Sequence, residues 1–306
     1  MTEMAPEAPL DERPDQDEIT ARFARHELVL GWRRASGATP SIVPVTRVGL
    51  KSDLGCVREN NEDKAEFYEP DDPATLAERG SLYMVADGMG GHAAGQIASE
   101  LAVKRALAGY YGSQEADEAE ALVAAFRSAN EHVFQVASSI PGRSGMGTTL
   151  TTLALVQDRA VVVHIGDSRA YLVRRPADAQ SDAPDARADQ ITEDHSWVAE
   201  QVRLGALTLE EAERSPYRNI ITRCIGTQPE IEVDVFCVST QADDTWVLCS
   251  DGLTGHVTDT EIAETVHGQA PGEACRQLVE LACARGGSDN ITVLIVHVPC
   301  LRPFGG

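Results

Sequence analysis

Four aspartates in this chain end or interrupt apolar runs beside glycine or serine. Asp87 closes "YMVADG" and Asp251 closes "WVLCSDG". Asp167 sits inside "HIGDSR", and Asp289 precedes a terminal apolar run in "GGSDNITVLIV". Near the start of the chain, "VRENNED" sets Arg58, Glu62 and Asp63 close together. Taken singly, each reads as turn chemistry: Asp-Gly is a common turn dipeptide, and Ser-Asp-Asn before a strand is a loop. Taken together they read differently. Acidic groups are rarely buried unless paired or bound to metal. Strand ends converge in space, and carboxylates gathered there repel one another without a cation. Oxygen ligands suit hard ions such as Mg²⁺ and Mn²⁺, and no His/Cys set has zinc-like spacing. The residues therefore point to a site for more than one hard cation. Two such ions can hold a bridging hydroxide and stabilise in-line displacement at phosphorus.

These groups meet only if the surrounding elements bring strand ends together. Strand-like runs, many β-branched and bounded by turn residues, fall at about 47–55, 82–87, 147–156, 160–166, 169–174, 231–238, 245–250 and 290–298. Asp158 and Arg159 separate two of them and predict a hairpin, while Gly166–Asp167 predicts a bulge or tight turn. Helical patterns run over about 93–111 and 118–139, where Leu122, Phe126, Ala129, Val133 and Val136 recur at helical spacing. A third helix, from Pro271 to Arg285, opens on proline and stops at Gly286–Gly287. This order predicts an α+β fold with helices packed on antiparallel sheets. The polar tract 176–190 reads as an extended hairpin loop. Residues 1–20 are acidic, proline-rich and poor in large apolar groups, as in a disordered tail. Residues 21–45 carry a short helical pattern and a linker, and the folded domain is expected from near Val45.

Composition removes several function classes. The net charge of −22 argues against non-specific nucleic-acid binding and against a polybasic membrane patch. A phosphorylated substrate is compatible with it if metal ions screen the charge locally. The seven cysteines show no C-x-x-C spacing and are expected to be free thiols in a reducing compartment. The acidic N-terminus has no apolar core of a secretory signal, and no apolar stretch is long enough to span a bilayer. The expected compartment is the cytoplasm. There is no G-x-x-x-x-G-K-[ST] loop for a nucleotide phosphate and no Cys-x5-Arg loop for a cysteine phosphatase.

"RENNED", "VADGMGGHAAG", "GMGTTLT", "HIGDSRAY", "CSDGL" and "SDNITV" occur in an order and spacing that resemble the metal-dependent protein Ser/Thr phosphatases, the PPM or type 2C family. The chain looks most like the bacterial, single-domain branch, over about residues 46–298. The resemblance implies an α-β-β-α sandwich: two antiparallel sheets face to face, each flanked by a helix pair, in a domain over 46–300 with a flap at about 195–225. It implies Mn²⁺ or Mg²⁺, two or three ions per chain. Asp87 would bridge two ions, the Gly88 carbonyl would add a ligand, and Asp251 and Asp289 would complete the first. Glu62 and Asp63 would bind water around the second, and Asp167 would serve a third. Arg58 would grip phosphate with its fork of donors, sharing one face of a strand with Asn60 and Glu62. The implied reaction is hydrolysis of phosphoserine or phosphothreonine by direct attack of a metal-bridging water. The alternative is a catalytically weak pseudophosphatase acting as a phosphoprotein-binding adaptor. Implied partners are phosphorylated proteins, a Ser/Thr kinase among them, for a monomeric enzyme.

One departure from the family pattern concerns the proton donor. Several eukaryotic members carry His two residues after the bridging aspartate, and here that residue is Met89, which donates no proton. A metal-bound water is the preferred substitute, and His92 is the nearest other candidate. His164 and His195 read as structural. Within the flap, Arg214, Arg218 and Arg223 are the candidates to meet the phosphopeptide.

Overall fold

The computed structural model describes residues 39–304 apart from His92 and residues 175–186. The readings placed on His92, on residues 1–38 of the tail and on most of the 176–190 loop lie outside the described residues.

The chain builds two antiparallel sheets. The first has the order β1 (Ile42–Asp53), β11 (Ile291–Pro303), β10 (Asp244–Cys249), β7 (Arg169–Arg174), β8 (Arg187–Gln190). The second has the order β2 (Asp63–Tyr68), β3 (Ser81–Met89), β5 (Leu150–Val156), β6 (Arg159–Ile165), β9 (Asp234–Ser239), with the short β4 (Gly147–Thr148) also paired to β3. Strand alternation sorts the side chains. Tyr83, Val85, Leu153 and Val162 of the second sheet meet Leu172, Trp246, Leu248 and Leu294 of the first in one core between the sheets. On its other face the first sheet offers Tyr171, Val247, Val293 and Ile295 to helices α7 (Asp259–Val266) and α8 (Pro271–Ala284). Helices α2 (Ala93–Gly112) and α3 (Glu118–Ser139) pair with each other, α2 against β3 and α3 against β6. Both sheets are thus covered on both faces. That is why their central strands read as unbroken apolar runs such as "AVVVHI" rather than as alternation. The architecture is the expected α-β-β-α sandwich.

Local signals place the helices. Asp117 caps α3 by accepting from Ala119 N–H (2.8 Å). Pro271 opens α8. A short helix α1 (Pro73–Arg79) starts at Asp72, whose side chain accepts from Thr75 N–H. The flap region holds α4 (Trp197–Arg203), capped by Ser196, and α5 (Leu209–Glu213), which carries a capping box from Thr208 and Glu211.

Two local expectations change. The segment from Leu54 to Glu62 is a loop rather than a strand, so Arg58, Asn60 and Glu62 do not share a strand face. The reason is non-local: the Asn290 side-chain amide donates to Leu54 O and Asn60 O, both at 3.0 Å, and this holds the segment in a curve. Of the two alternatives at Gly166–Asp167, there is no bulge; the chain bends there. This bend is where the chain leaves β6 in one sheet and enters β7 in the other.

Candidate metal centre and substrate cleft

Asp87 lies near the end of β3, and antiparallel register sets Asp63 of β2 directly across from it. Neighbouring residues on paired strands point the same way, so the two carboxyls share one face. The Asp87 main chain is clamped from the other side. Its N–H donates to Thr149 Oγ1 (2.8 Å), and its carbonyl accepts from Thr149 N–H (2.9 Å) and Thr148 Oγ1 (2.8 Å). These threonines belong to "GMGTTLT", so that motif packs beneath the site. Gly88 follows because the space above it is taken. A Cβ there would come 2.1 Å from Gly95 O and 2.7 Å from Glu62 O. Glu62 lies against α2: its carbonyl accepts from Ser99 Oγ (2.6 Å), and a Cβ on Gly95 would strike its Oε2.

The remaining carboxylates arrive from the other sheet. Asp251 opens α6 (Asp251–Thr254) at the end of β10, and Asp289 precedes β11. Asp167 arrives at the crossing between sheets, where it is buried. The charges feel one another. Burial, then Asp63, Asp251, Asp167 and Asp289 together, hold the Asp87 carboxyl well above the usual carboxylate range. Burial and then Asp251 and Asp194 do the same to Asp167. Asp251 is raised by burial and Asp289, and it hydrogen-bonds the Asp87 carboxyl. Burial pushes Asp63 up to about 7 although Thr292 and Ser250 hydrogen-bond it, Ser250 Oγ donating to Oδ2 at 2.7 Å.

Three buried oxygens, Asp63 Oδ1, Asp167 Oδ1 and Asp251 Oδ1, have no hydrogen-bond partner among the described residues. Orphaned, mutually repelling carboxylate oxygens without a nitrogen or sulfur among them fit hard divalent cations. Among the described residues no three acidic, histidine or cysteine side chains already close into a ligand shell.

Arg58 joins the cluster from its loop, with Nη2 2.7 Å from Asp289 Oδ2 and its side chain about half exposed. Sequence reasoning missed Asn290, which besides shaping the Arg58 loop accepts from Glu62 N–H at 2.8 Å. It also missed Ser250, the donor to Asp63. Both stand next to a predicted aspartate inside a quoted motif, and that adjacency was the available signal.

His164 and His195 are structural. Their ring centroids lie 4.9 Å apart with the planes tilted by 32°. His164 Nδ1 meets Thr151 Oγ1 (2.9 Å), and burial pushes its pKa down to about 3. His195 Nδ1 accepts from Gly166 N–H (3.0 Å), which leaves Nε2 to donate to Asp234 (3.0 Å). They pin the crossing that carries Asp167 to the root of the flap.

A cleft of about 620 Å³ opens between the flap and this cluster, lined by Asp167, Asp251, Val198, Val202, Arg203 and Arg218 among others. Arg223 is not available to it, being bound to Asp234 Oδ1 (2.9 Å) and Glu232 O (2.7 Å). Arg214 pairs with Glu210 (2.8 Å) and lines a separate pocket. Arg203 pairs with Glu193 (3.1 Å). Arg218 lines the cleft and makes no ion pair among the described residues.

The family model described as protein phosphatase 2C matches residues 60–279. The chain belongs to the protein phosphatase 2C family. The serine/threonine phosphatase stp of Listeria monocytogenes is 36% identical over 253 residues, covering 81% of this chain and 94% of that protein. The serine/threonine protein phosphatase PstP of Mycobacterium tuberculosis is 38% identical over 255 residues, covering 83% of this chain and 45% of that one. A solved structure of the PstP catalytic domain in complex with two manganese ions matches with a TM-score of 0.69 at 36% identity, over 84% of this chain and 98% of that chain. The protein is a metal-dependent protein Ser/Thr phosphatase, an enzyme whose substrates are phosphoproteins. No helix among the described residues is long and apolar enough to cross a membrane.

Proposed function

We propose that this phosphatase hydrolyses phosphoserine and phosphothreonine at the carboxylate cluster, with Asp87 at its centre. The observation that carries the reading is the convergence of Asp63, Asp167 and Asp251 on Asp87, each with an orphaned buried oxygen. Asp87, the Gly88 carbonyl, Asp251 and Asp289 would hold two Mn²⁺ or Mg²⁺ ions, Asp167 would serve a third, and Glu62 and Asp63 would orient water around them. When bound, the ions supply Lewis-acid stabilisation of the phosphoryl group and activation of a nucleophilic water.

The chain's own residues do the rest. Arg58 holds the phosphate oxygens with the guanidinium donors that its contact with Asp289 leaves free. Thr148 and Thr149 keep the Asp87 main chain from yielding when the carboxylate is loaded. Met89 donates no proton, so the leaving alkoxide is not protonated at that position. Arg218 meets the peptide flanking the phosphate, because it lines the cleft and makes no ion pair among the described residues. The complete set of carboxylates and Arg58 argues against the decayed centre of an adaptor. The reaction that supplies its substrate is phosphorylation by a Ser/Thr kinase, and the enzyme acts as a monomer.

The test is turnover of p-nitrophenyl phosphate and of a phosphothreonine peptide with Mn²⁺, Mg²⁺ or EDTA. Asp87→Asn and Asp251→Asn are each expected to lower kcat/KM by roughly a hundredfold or more. Turnover in EDTA, or full activity in both variants, sinks the proposal.

A further inference from the structure

Two of the cysteines meet beside the site. Cys56 lies exposed in the loop between β1 and β2, two residues before Arg58. Cys283 is partly exposed in the last turn of α8. Although 227 positions apart, Cys56 Sγ stands 3.6 Å from the Cys283 carbonyl oxygen. Cys283 Sγ in turn lies 3.9 Å from Asp53 Oδ1, and its thiol feels Cys56 as a neighbour. The main chains also join here, with Cys56 N–H donating to Gly287 O at 2.7 Å. A Cβ on Gly287 would lie 3.1 Å from Cys56 Sγ and 3.2 Å from Cys283 Cα, so glycine leaves the passage between them open.

The segments that meet here are those that carry Arg58 and Asp289. Cys56 leads through Val57 to Arg58, and Cys283 leads through Gly286–Gly287–Ser288 to Asp289. The Arg58–Asp289 contact of 2.7 Å bridges the same two segments. A covalent link between the cysteines would therefore act on the junction that sets the arginine.

We propose that Cys56 and Cys283 form a reversible disulfide under peroxide, and that this bond switches the phosphatase off by displacing Arg58. The inference rests on the reading of Arg58 and Asp289 as site residues. The chemistry closes with hydrogen peroxide as oxidant. The Cys56 thiolate attacks one peroxide oxygen, the O–O bond breaks, and the sulfur becomes a sulfenic acid as the first water leaves. The Cys283 sulfur then attacks the Cys56 sulfur, the S–O bond breaks, and the second water leaves with the thiol proton. Two thiols are oxidised and one peroxide is reduced to two waters. Exposure suits Cys56 to meet peroxide first. Burial and the neighbouring Asp53 raise the Cys283 thiol, which leaves less thiolate there to meet peroxide, so Cys283 attacks as the second sulfur. A disulfide draws its sulfurs to about 2 Å, closer than thiols in contact, so closing it pulls on the two segments that carry Arg58 and Asp289. A misplacement of about 1 Å at a substrate-positioning group costs up to about a hundredfold in rate.

The experiment treats the reduced full-length protein with hydrogen peroxide, removes the oxidant, and divides the sample. One half is digested without reduction and mapped by mass spectrometry, and the other is assayed with Mn²⁺ on p-nitrophenyl phosphate. The expected result is a Cys56–Cys283 cross-linked peptide, activity lower by roughly tenfold to a hundredfold, and recovery with dithiothreitol. Cys56→Ser and Cys283→Ser should match the reduced wild type in activity and resist peroxide. Absence of the cross-link, full activity of the cross-linked protein, or equal peroxide sensitivity of Cys56→Ser overturns the proposal. A reduced wild type with no Mn²⁺-dependent turnover counts instead against the phosphatase reading, and the peptide map still decides whether the cysteines pair.

Discussion

Asp63 shows what the carboxylate cluster costs the metal-free fold. It faces Asp87 across a strand pair, and its Oδ1 has no hydrogen-bond partner among the described residues, while Ser250 donates to Oδ2. Its folded pKa of about 7 lies above the unfolded value of 3.8. The folded chain therefore binds this proton more tightly than the unfolded chain does. Stability of the metal-free protein falls as pH rises from about 4 through 7, and is regained as pH drops. In EDTA, Asp63→Asn should raise Tm at pH 8 by roughly 2–4 °C and flatten the pH dependence. Scanning calorimetry checks this, and a lower Tm in the variant would contradict it. Arg58 acts in the other direction, as a cation held at the cluster's edge by Asp289. If it binds phosphate in the ground state, Arg58→Ala raises KM more than it lowers kcat. Steady-state kinetics on a phosphothreonine peptide measure the split, and an unchanged KM removes that role.

At the scale of elements, the flap and the sheet crossing share one anchor. His195 ties Gly166 to the flap root, and Arg223 fastens the flap's far end to Asp234. Arg218 is left to the cleft. Arg218→Ala should raise KM for a phosphopeptide up to about fivefold, the size of an exposed charge contact, and leave KM for p-nitrophenyl phosphate unchanged. Equal effects on both substrates would place Arg218 at the phosphate itself. The sequence marked the apolar central strands and the long helices α2, α3 and α8 because burial on two faces and helical periodicity leave local patterns. It did not mark β2, "DKAEFY", whose charged, half-buried pattern belongs to a sheet edge. Nor did it mark the loop around Arg58, since Asn290 shapes that loop from 230 residues away. The aspartates were legible because strand ends carry their own glycine and serine signals. The choice among three flap arginines was not, because it depends on which ones Glu210 and Asp234 already hold.

For the molecule as a whole, the net charge of −22 sets the terms on which any phosphoprotein approaches. The substrate is an anion, and the cleft lies among Asp167, Glu193, Asp194 and Asp251. On the proposed reading of the site, bound divalent ions and Arg58 would cancel this charge at the reacting phosphate but not along the flanking peptide. The surrounding field then repels acidic flanks and attracts basic ones, over a range of about 10 Å at 0.1 M salt. At low ionic strength, kcat/KM for a phosphothreonine peptide with Lys or Arg neighbours should exceed that for one with Glu or Asp neighbours by about tenfold. Raising the salt should narrow the gap from both sides, slowing the basic peptide and speeding the acidic one. p-Nitrophenyl phosphate, which has no flanks, should show no such split. A preference that survives high salt undiminished would mean that short-range contacts in the cleft, and not the field of the whole protein, choose the substrate.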